Sequence, residues 1–198
     1  MRVDKIIYQG KTKSRIVFED GFSFTLYNGE LKKWDVAEGK DILEERYRKE
    51  ILPVLVSRAK ERLVYSLKSS DKPETELKRK LSECYYPDEA INQAIAWAKE
   101  KHYVDDERYI ENYIRYRSGG KSRKQIQFNL IQKGLPKDLI QRKLEDFVVD
   151  EEAQIEAELK RKHYSSDMDE KEKQKIIASL ARKGYSWSTI SHILGTVD

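Results

Sequence analysis

The side chains of this chain best suited to bind a ligand are cations in a stretch that contains no acid. Between residues 112 and 137 there is no Asp or Glu, and the cations are Arg115, Arg117, Lys121, Arg123, Lys124, Lys133 and Lys137. Several of them would open a helix, where the helix dipole disfavours positive charge unless an anion binds there. Phosphate and acidic protein side chains are the candidate anions, and a solvated surface is the alternative. We predict a binding site at Arg115, Arg117, Lys121, Arg123 and Lys124.

No other set of residues predicts catalysis. The three histidines, His102, His163 and His192, stand alone, without a second metal ligand at helical spacing, and we expect surface or cap residues. Cys84 is the one cysteine, so no intrachain disulfide forms, and packing is its expected role. The acidic run at 105–107 stands where a helix would begin, which favours capping over metal binding. The chain has no phosphate-binding loop and no nucleophile elbow, so we predict no enzyme and no cofactor.

The composition is typical of a folded helical protein with a charged surface. Charged residues make up 37% of the 198 residues and hydrophobic residues 38%, and the net charge is +4. The longest apolar stretch, Ile51 to Val56, is far shorter than the roughly 20 residues that span a bilayer. The first residues do not form a signal-peptide pattern. We therefore expect a cytoplasmic protein without membrane contact.

A motif that occurs three times provides the elements for the cationic stretch. Leu81, Leu130 and Leu180 are 49 and 50 residues apart. Apolar residues recur at the same offsets from these anchors: Leu77, Ile126 and Ile176 before them, then Ile91, Ile140 and Ile190, then Ile95, Leu144 and Leu194. Four residues past the anchor the later copies have Gly134 and Gly184, which suit a left-handed helix end, whereas the first copy has Tyr85. Each copy therefore predicts helix, tight turn and helix.

A further helix precedes each pair, so the sequence predicts three units of three helices. We place them at residues 49–104, 105–149 and 150–198. In the second unit the first helix carries Tyr109, Tyr113 and Tyr116, which we expect to lie chiefly in the core between repeats, with a partner contact as the alternative for a tyrosine at the rim. One unit buries little apolar surface, so neighbouring repeats should share a core and form an elongated, curved body. The fold class is mainly α.

Residues 1–48 form a separate N-terminal segment with a linker, in which residues 3–36 follow strand chemistry instead. Short runs rich in β-branched and aromatic residues flank Asp20-Gly21, which predicts a hairpin. Asn28-Gly29 predicts a second turn before a possible fourth strand at 30–36. We expect a small antiparallel sheet of three or four strands, and then a helix from about Ile42 that Pro53 kinks or divides.

In its repeats the chain resembles the RecX family of RecA regulators. The resemblance lies in four segments, 72–81, 103–109, 126–135 and 173–185, and covers roughly residues 55–196. It departs from the family at Tyr85 and in a less arginine-rich run at 69–72. The resemblance implies a tandem array of three-helix repeats that lies along the groove of a RecA–single-stranded-DNA filament and modulates RecA, mostly by inhibition. The implied partners are the RecA filament and single-stranded DNA, and we expect a monomer that acts by binding.

Two other functions fit the same residues. A stand-alone nucleic-acid-binding helical protein would share the basic tract and would bind strands without RecA. A helical-repeat scaffold for another protein would share the architecture and bind neither RecA nor DNA. The effect of the protein on the DNA-dependent ATPase activity of RecA distinguishes the RecA regulator from the other two functions, and binding to free DNA distinguishes those two from each other.

Overall fold

The structure, a computed structural model, describes residues 1–196 and is mainly helical, with one small sheet. It divides into two compact units, one ending at Asp105 and the other beginning at Asp106. The fold class predicted from the sequence is confirmed, while the finer division at residues 48, 104 and 149 stays a prediction. Within residues 1–196, no helix combines the length and the apolar character needed to cross a membrane.

The first unit begins with a three-stranded antiparallel sheet in the order β1 (Val3–Gln9), β2 (Lys13–Phe18) and β3 (Ser23–Tyr27). Alternate side chains of β2 and β3 are buried, namely Ile16, Phe18, Phe24 and Leu26. The hairpin predicted at Asp20-Gly21 is confirmed, with Gly21 at φ 84°. The opposite face of the sheet carries the pairs Lys13–Tyr27 and Arg15–Thr25.

The prediction of a possible fourth strand at 30–36 is wrong, because the chain forms helix α1 (Asn28–Lys33) there. The backbone N–H of Tyr27 donates a hydrogen bond of 2.9 Å to the carboxylate of Glu30, which begins a helix. Leu31 and Trp34, three residues apart, then both face the core, and Trp34 is 2% exposed. The Asn-Gly pair therefore lies inside a helix instead of a tight turn.

The next helical region starts at Glu44, two residues later than predicted. Ile42 donates its N–H to the carbonyl of Met1 at 2.8 Å, and Asp41 pairs with Arg2, so these residues extend the sheet region. Helix α2 (Glu44–Arg46) continues through a π-helical turn (Tyr47–Ile51) into α3 (Leu52–Leu67). Pro53 lies in the first turn of α3 and has no N–H to donate. The predicted division of the helix therefore lies just before the proline, at the π-helical turn.

The three predicted helical units are present. The first consists of α3, α4 (Glu74–Ser82) and α5 (Asp88–Glu100). The second consists of α6 (Asp106–Arg117), α7 (Arg123–Gln132) and α8 (Lys137–Glu145). The third consists of α9 (Glu151–Arg161), α10 (Glu170–Arg182) and α11 (Trp187–Leu194). The anchors Leu81, Leu130 and Leu180 are 2%, 0% and 0% exposed, which confirms the register.

The turn inside each repeat is left-handed in all three copies. Gly134 and Gly184 have φ values of 79° and 88°, and Tyr85 occupies the same place with φ 59°. A side chain at such a φ costs roughly 1–2 kcal/mol. The Tyr85 ring compensates with a contact, because the guanidinium carbon of Arg15 in β2 lies 4.0 Å from its centroid. The tyrosine thus joins the sheet to the first repeat.

Each repeat encloses its own buried apolar cluster. In the second repeat, Ile110, Ile126 and Leu130 belong to one cluster, and in the third repeat Ile155 and Leu180 belong to another. We expected neighbouring repeats to share a core, and for these two repeats that expectation is wrong. Hydrogen bonds of polar side chains, among them Ser122 and Gln154, join the two repeats.

Candidate anion-binding surface

The predicted site residues occupy the end of α6, the turn after it and the start of α7. Arg115 and Arg117 lie in the last turn of α6 and are exposed. Lys121 is half-buried in the turn. Arg123 and Lys124 are exposed in the first turn of α7. The structure therefore places all five cations on one helix–turn–helix segment of the second repeat.

Four of these cations have no carboxylate partner. Among residues 1–196, no carboxylate oxygen lies within 4.0 Å of a side-chain nitrogen of Arg115, Arg117, Lys121 or Lys124. Arg117 contacts an aromatic ring instead, with its guanidinium carbon 5.9 Å from the Tyr113 centroid. These four charges are not neutralised within the described part of the chain, so an external anion could pair with them.

Arg123 differs from the other four because its guanidinium binds the chain itself. It donates hydrogen bonds to the backbone carbonyls of Leu144, at 2.7 Å, and Phe147, at 3.1 Å. These carbonyls lie at and just beyond the end of α8, where a cation is favoured by the helix dipole. The backbone N–H of Arg123 donates to Glu151 at 2.7 Å. The anion at the start of α7 is therefore Glu151, which weakens the sequence argument that this helix end requires an external anion.

Ser122 fixes the start of α7 against the third repeat. Its hydroxyl oxygen accepts a hydrogen bond from the N–H of Gln125 at 3.2 Å and donates one to the carbonyl of Lys183 at 2.6 Å. The residue is 0% exposed. Gly184 follows Lys183, and a Cβ there would lie 2.8 Å from the Ser122 hydroxyl oxygen. Glycine is thus required at 184 by close approach as well as by positive φ.

The other side of the turn is held by Gln154 of α9. Its amide nitrogen donates to the carbonyl of Ser118 at 2.5 Å, and its amide oxygen accepts from the hydroxyl of Tyr185 at 2.8 Å. Burial, and then the charges of Glu151 and Glu158, raise the pKa of Tyr185, so its hydroxyl stays protonated and can donate. The third repeat therefore fixes the turn at 118–122 at both ends.

An ion-pair cluster lies next to this junction. Glu158 of α9 accepts from Arg161 at 2.5 Å and from Lys183 at 2.8 Å. These hydrogen bonds, that of Arg161 first, lower the pKa of Glu158 to about 2. Lys183 thus binds two partners at this junction: its ammonium group pairs with Glu158, and its carbonyl accepts the hydrogen bond from Ser122.

Large apolar side chains are exposed beside the cations, and the sequence reasoning missed most of them. Tyr116 is 82% exposed, Phe128 60% and Ile131 39%. Tyr109 and Tyr113 are half-buried against the core, so the prediction of a core tyrosine stripe holds for them and is wrong for Tyr116. The spacing of residues along α7 could have indicated which of these side chains are exposed.

Phe128 stands two residues from both Ile126 and Leu130, on the opposite side of the helix. Lys124, Phe128 and Ile131 then share the outer side of α7, since they are four and three residues apart.

This combination of side chains is suited to binding. Unpaired cations attract phosphate or carboxylate, and an exposed aromatic ring can stack on a base or anchor a protein contact. Within the described chain, no group of three or more His, Cys, Asp or Glu side chains is placed to hold a metal ion. His102 and His163 occupy exposed left-handed positions after α5 and α9, which confirms them as surface residues at helix ends.

Comparisons with known proteins match both the repeats and the whole chain. The family model "RecX, second three-helix domain" matches residues 105–144, and "RecX, third three-helix domain" matches residues 150–194. A regulatory protein RecX from Clostridium acetobutylicum is 30% identical over 97% of this chain and 94% of its own length. Another, from Caldanaerobacter subterraneus subsp. tengcongensis, is 28% identical over 98% of each chain.

Solved structures show the same fold. A crystal structure of a regulatory protein RecX has a TM-score of 0.64 at 22% identity and covers 98% of both chains. The structure of RecX from Lactobacillus salivarius has a TM-score of 0.63 at 23% identity and covers 74% of this chain and 98% of its own. With the family models and the relative at 30% identity, these likenesses lead to one conclusion: the chain belongs to the RecX family of regulatory proteins.

Proposed function

We propose that this protein binds the RecA–single-stranded-DNA filament and modulates RecA, mostly by inhibition, in recombination and DNA repair. Membership of the RecX family supports this function. The observation that carries the choice of site is the set of four cations without carboxylate partners at Arg115, Arg117, Lys121 and Lys124. Because Ser122 and Gln154 fix the intervening turn, these charges project from a preorganised segment, which reduces the entropy lost on binding.

The proposed action is binding without catalysis, by a monomer in the cytoplasm. The anionic partner is either the DNA backbone inside the filament groove or acidic side chains of RecA that line it. Salt weakens both kinds of contact, so salt dependence alone does not distinguish them. A comparison of filament binding with free DNA binding does.

The test is reversal of the four unpaired cations to Glu: Arg115, Arg117, Lys121 and Lys124. Arg123 is kept because its guanidinium binds the end of α8, so its loss would confound binding with stability. The assay measures RecA ATPase activity on single-stranded DNA with substoichiometric protein. We expect the variant to lose its effect on RecA, while its melting temperature stays near that of the wild type because surface substitutions usually change stability by under about 0.5 kcal/mol each.

A control variant carries the same change of net charge elsewhere. It reverses four exposed cations of the third repeat that have no carboxylate partner in the described chain: Lys160, Lys171, Lys175 and Arg182. We expect this control to retain most of the effect on RecA. Equal loss in the two variants would show that overall charge, and not the proposed site, determines binding.

Free single-stranded DNA binding by the same proteins identifies the anion. Four phosphate contacts account for a salt slope of about 0.7 × 4, or roughly 2.8. Loss of this slope together with the RecA effect assigns the site to DNA, and loss of the RecA effect alone assigns it to RecA. A four-residue variant that still inhibits RecA as the wild type does would show that the site is wrong.

Stand-alone nucleic-acid binding is the second candidate function, favoured by the exposed rings of Tyr116 and Phe128 beside the cations. This function predicts tight binding to DNA and no change in RecA activity. Change of Phe128 to Ala then weakens DNA binding and leaves RecA ATPase activity as it was without the protein. A protein scaffold unrelated to RecA predicts neither DNA binding nor a RecA effect.

A further inference from the structure

Two adjoining cavities lie on the outer face of the N-terminal sheet, within the first unit. One, of about 240 Å³, has Lys13 and Tyr27 of the sheet on one side and Arg62 of α3 with Tyr86 on the other. The second, of about 620 Å³, shares Arg62 with the first and extends along α3 to Tyr65 and Lys68. Its volume lies in the range of roughly 300–1,000 Å³ that is usual for ligand sites. Because the two cavities also share Glu83 and Cys84, we treat them as one groove, lined by the sheet and the first repeat, which we call the sheet groove.

The sheet groove carries uncompensated positive charge. Within residues 1–196, no carboxylate oxygen lies within 4.0 Å of a side-chain nitrogen of Lys13, Arg62 or Lys68. The acid in its wall, Glu83, is already paired with Arg79 at 2.5 Å. Three free cations in one groove favour an anionic occupant.

Two further cations of the groove wall are fixed and cannot move to the surface without losing partners. Arg58 is paired with Glu30 through two hydrogen bonds of 2.9 and 2.5 Å. The ammonium group of Lys72 donates to oxygens of Ser66, Ser69 and Ser70 at 2.6 to 3.3 Å. Within residues 1–196, Lys72 thus adds a fixed positive charge without an acid partner, beside the side chains of Arg62 and Lys68.

Aromatic rings follow the same groove. The face of Tyr27 holds Lys13 at 5.1 Å and Arg58 at 4.3 Å from the ring centroid, which positions both cations. Tyr65, further along, is 73% exposed. Cations that follow a groove together with an exposed ring are typical of proteins that bind single-stranded nucleic acid, where the cations bind phosphates and the ring stacks on a base. An exposed ring needs an unstacked base, so a single strand fits better than a duplex.

We propose that the sheet groove binds single-stranded DNA, with phosphates on Lys13, Arg62 and Lys68 and a base on Tyr65. This site is separate from the cations of the second repeat and requires no RecA. It also gives the N-terminal sheet a function, because Lys13 and Tyr27 come from β2 and β3, and Arg15 on Tyr85 fixes the sheet to the first repeat.

The test measures binding of a fluorescent oligothymidylate to the full-length protein by anisotropy over a series of salt concentrations. Lys13→Gln with Arg62→Gln removes two phosphate contacts, so the salt slope should fall by about 0.7 × 2, or 1.4. Tyr65→Ala should weaken binding about 5- to 140-fold at fixed salt, the effect of one lost base stack. Lys5→Gln is the control, since Lys5 is an exposed cation of β1 outside the groove.

The outcomes separate this proposal from the proposed function. A reduced slope for the double variant, with Lys5→Gln unchanged, supports the groove whether or not RecA responds to the protein. A slope and affinity equal to those of Lys5→Gln overturn the proposal, as does a wild-type protein that does not bind the oligonucleotide at low salt. Loss of the effect on RecA with unchanged oligonucleotide binding also overturns it and indicates an acidic protein segment as the occupant. Circular dichroism and thermal melts confirm that each variant is folded.

Discussion

Ser122→Ala should destabilise the compact unit that begins at Asp106 more than the loss of an ordinary helix cap would. The substitution removes the cap of α7, worth about 1 kcal/mol. It also removes the hydrogen bond to the Lys183 carbonyl, worth about 0.5–1.5 kcal/mol net. The expected loss is therefore about 2 kcal/mol in the free energy of unfolding.

Ser186→Ala is the matched control. Ser186 caps α11 in the same way, accepting from the N–H of Thr189 at 3.1 Å, but its hydroxyl has no hydrogen bond to another repeat within the described residues. The control should cost about 1 kcal/mol. The difference between the two variants, about 1 kcal/mol, isolates the bond between repeats.

Urea denaturation followed by circular dichroism gives the two free energies, and amide hydrogen exchange locates the change. The N–H of Gln125 donates to Ser122, so its exchange should accelerate in Ser122→Ala and not in Ser186→Ala. A difference of 1 kcal/mol corresponds to about 4–8 °C in melting temperature for a unit of this size. Equal losses in the two variants would refute the argument that Ser122 joins the repeats.

Three further changes test the core, the turn and the ion pairs. Leu130→Ala should cost about 2–5 kcal/mol as a fully buried truncation, and a thermal melt within a degree of wild type would contradict the register. Gly184→Ala should destabilise more than Gly21→Ala in the same melts, since both have positive φ but only the former meets an atom within 3 Å. Glu158→Gln should lower the melting temperature at pH 7, because the pKa of Glu158 is depressed to about 2 in the folded protein. That difference should shrink as the pH falls from about 4.5 towards 2, and should be absent at every pH for the exposed control Glu156→Gln.

The helices were predictable because each repeat carries its own spacing. Each repeat buries its anchor leucine in its own apolar cluster: Leu81, Leu130 and Leu180. The contacts are made within about one helix pair, so the periodic spacing of apolar residues is sufficient to predict them. The fourth strand failed for a local reason, since Asn28-Gly29 resembles a turn and the hydrogen bond between Tyr27 and Glu30 starts a helix instead. A tight-turn dipeptide is a weaker signal than a cap followed by two core residues.

The residues of the candidate site could be predicted from the sequence, but the contacts that each of them makes could not. The sequence shows that the stretch at 112–137 lacks acids, but it does not show that Arg123 binds carbonyls 21 and 24 residues away. It also does not show that Ser122 bonds to a carbonyl 61 residues later. Such partners depend on how the repeats meet, and helical periodicity does not encode that.

The polar junction between the second and third repeats has a calorimetric consequence. Opening a junction between shared apolar cores would expose apolar surface and raise the heat capacity, whereas here the bonds of Ser122 and Gln154 would be exchanged for bonds to water. Their separation should therefore raise the heat capacity less than the opening of a shared apolar core would. Each repeat keeps its own apolar cluster when the junction opens, so the opening breaks hydrogen bonds between the repeats and leaves both cores intact.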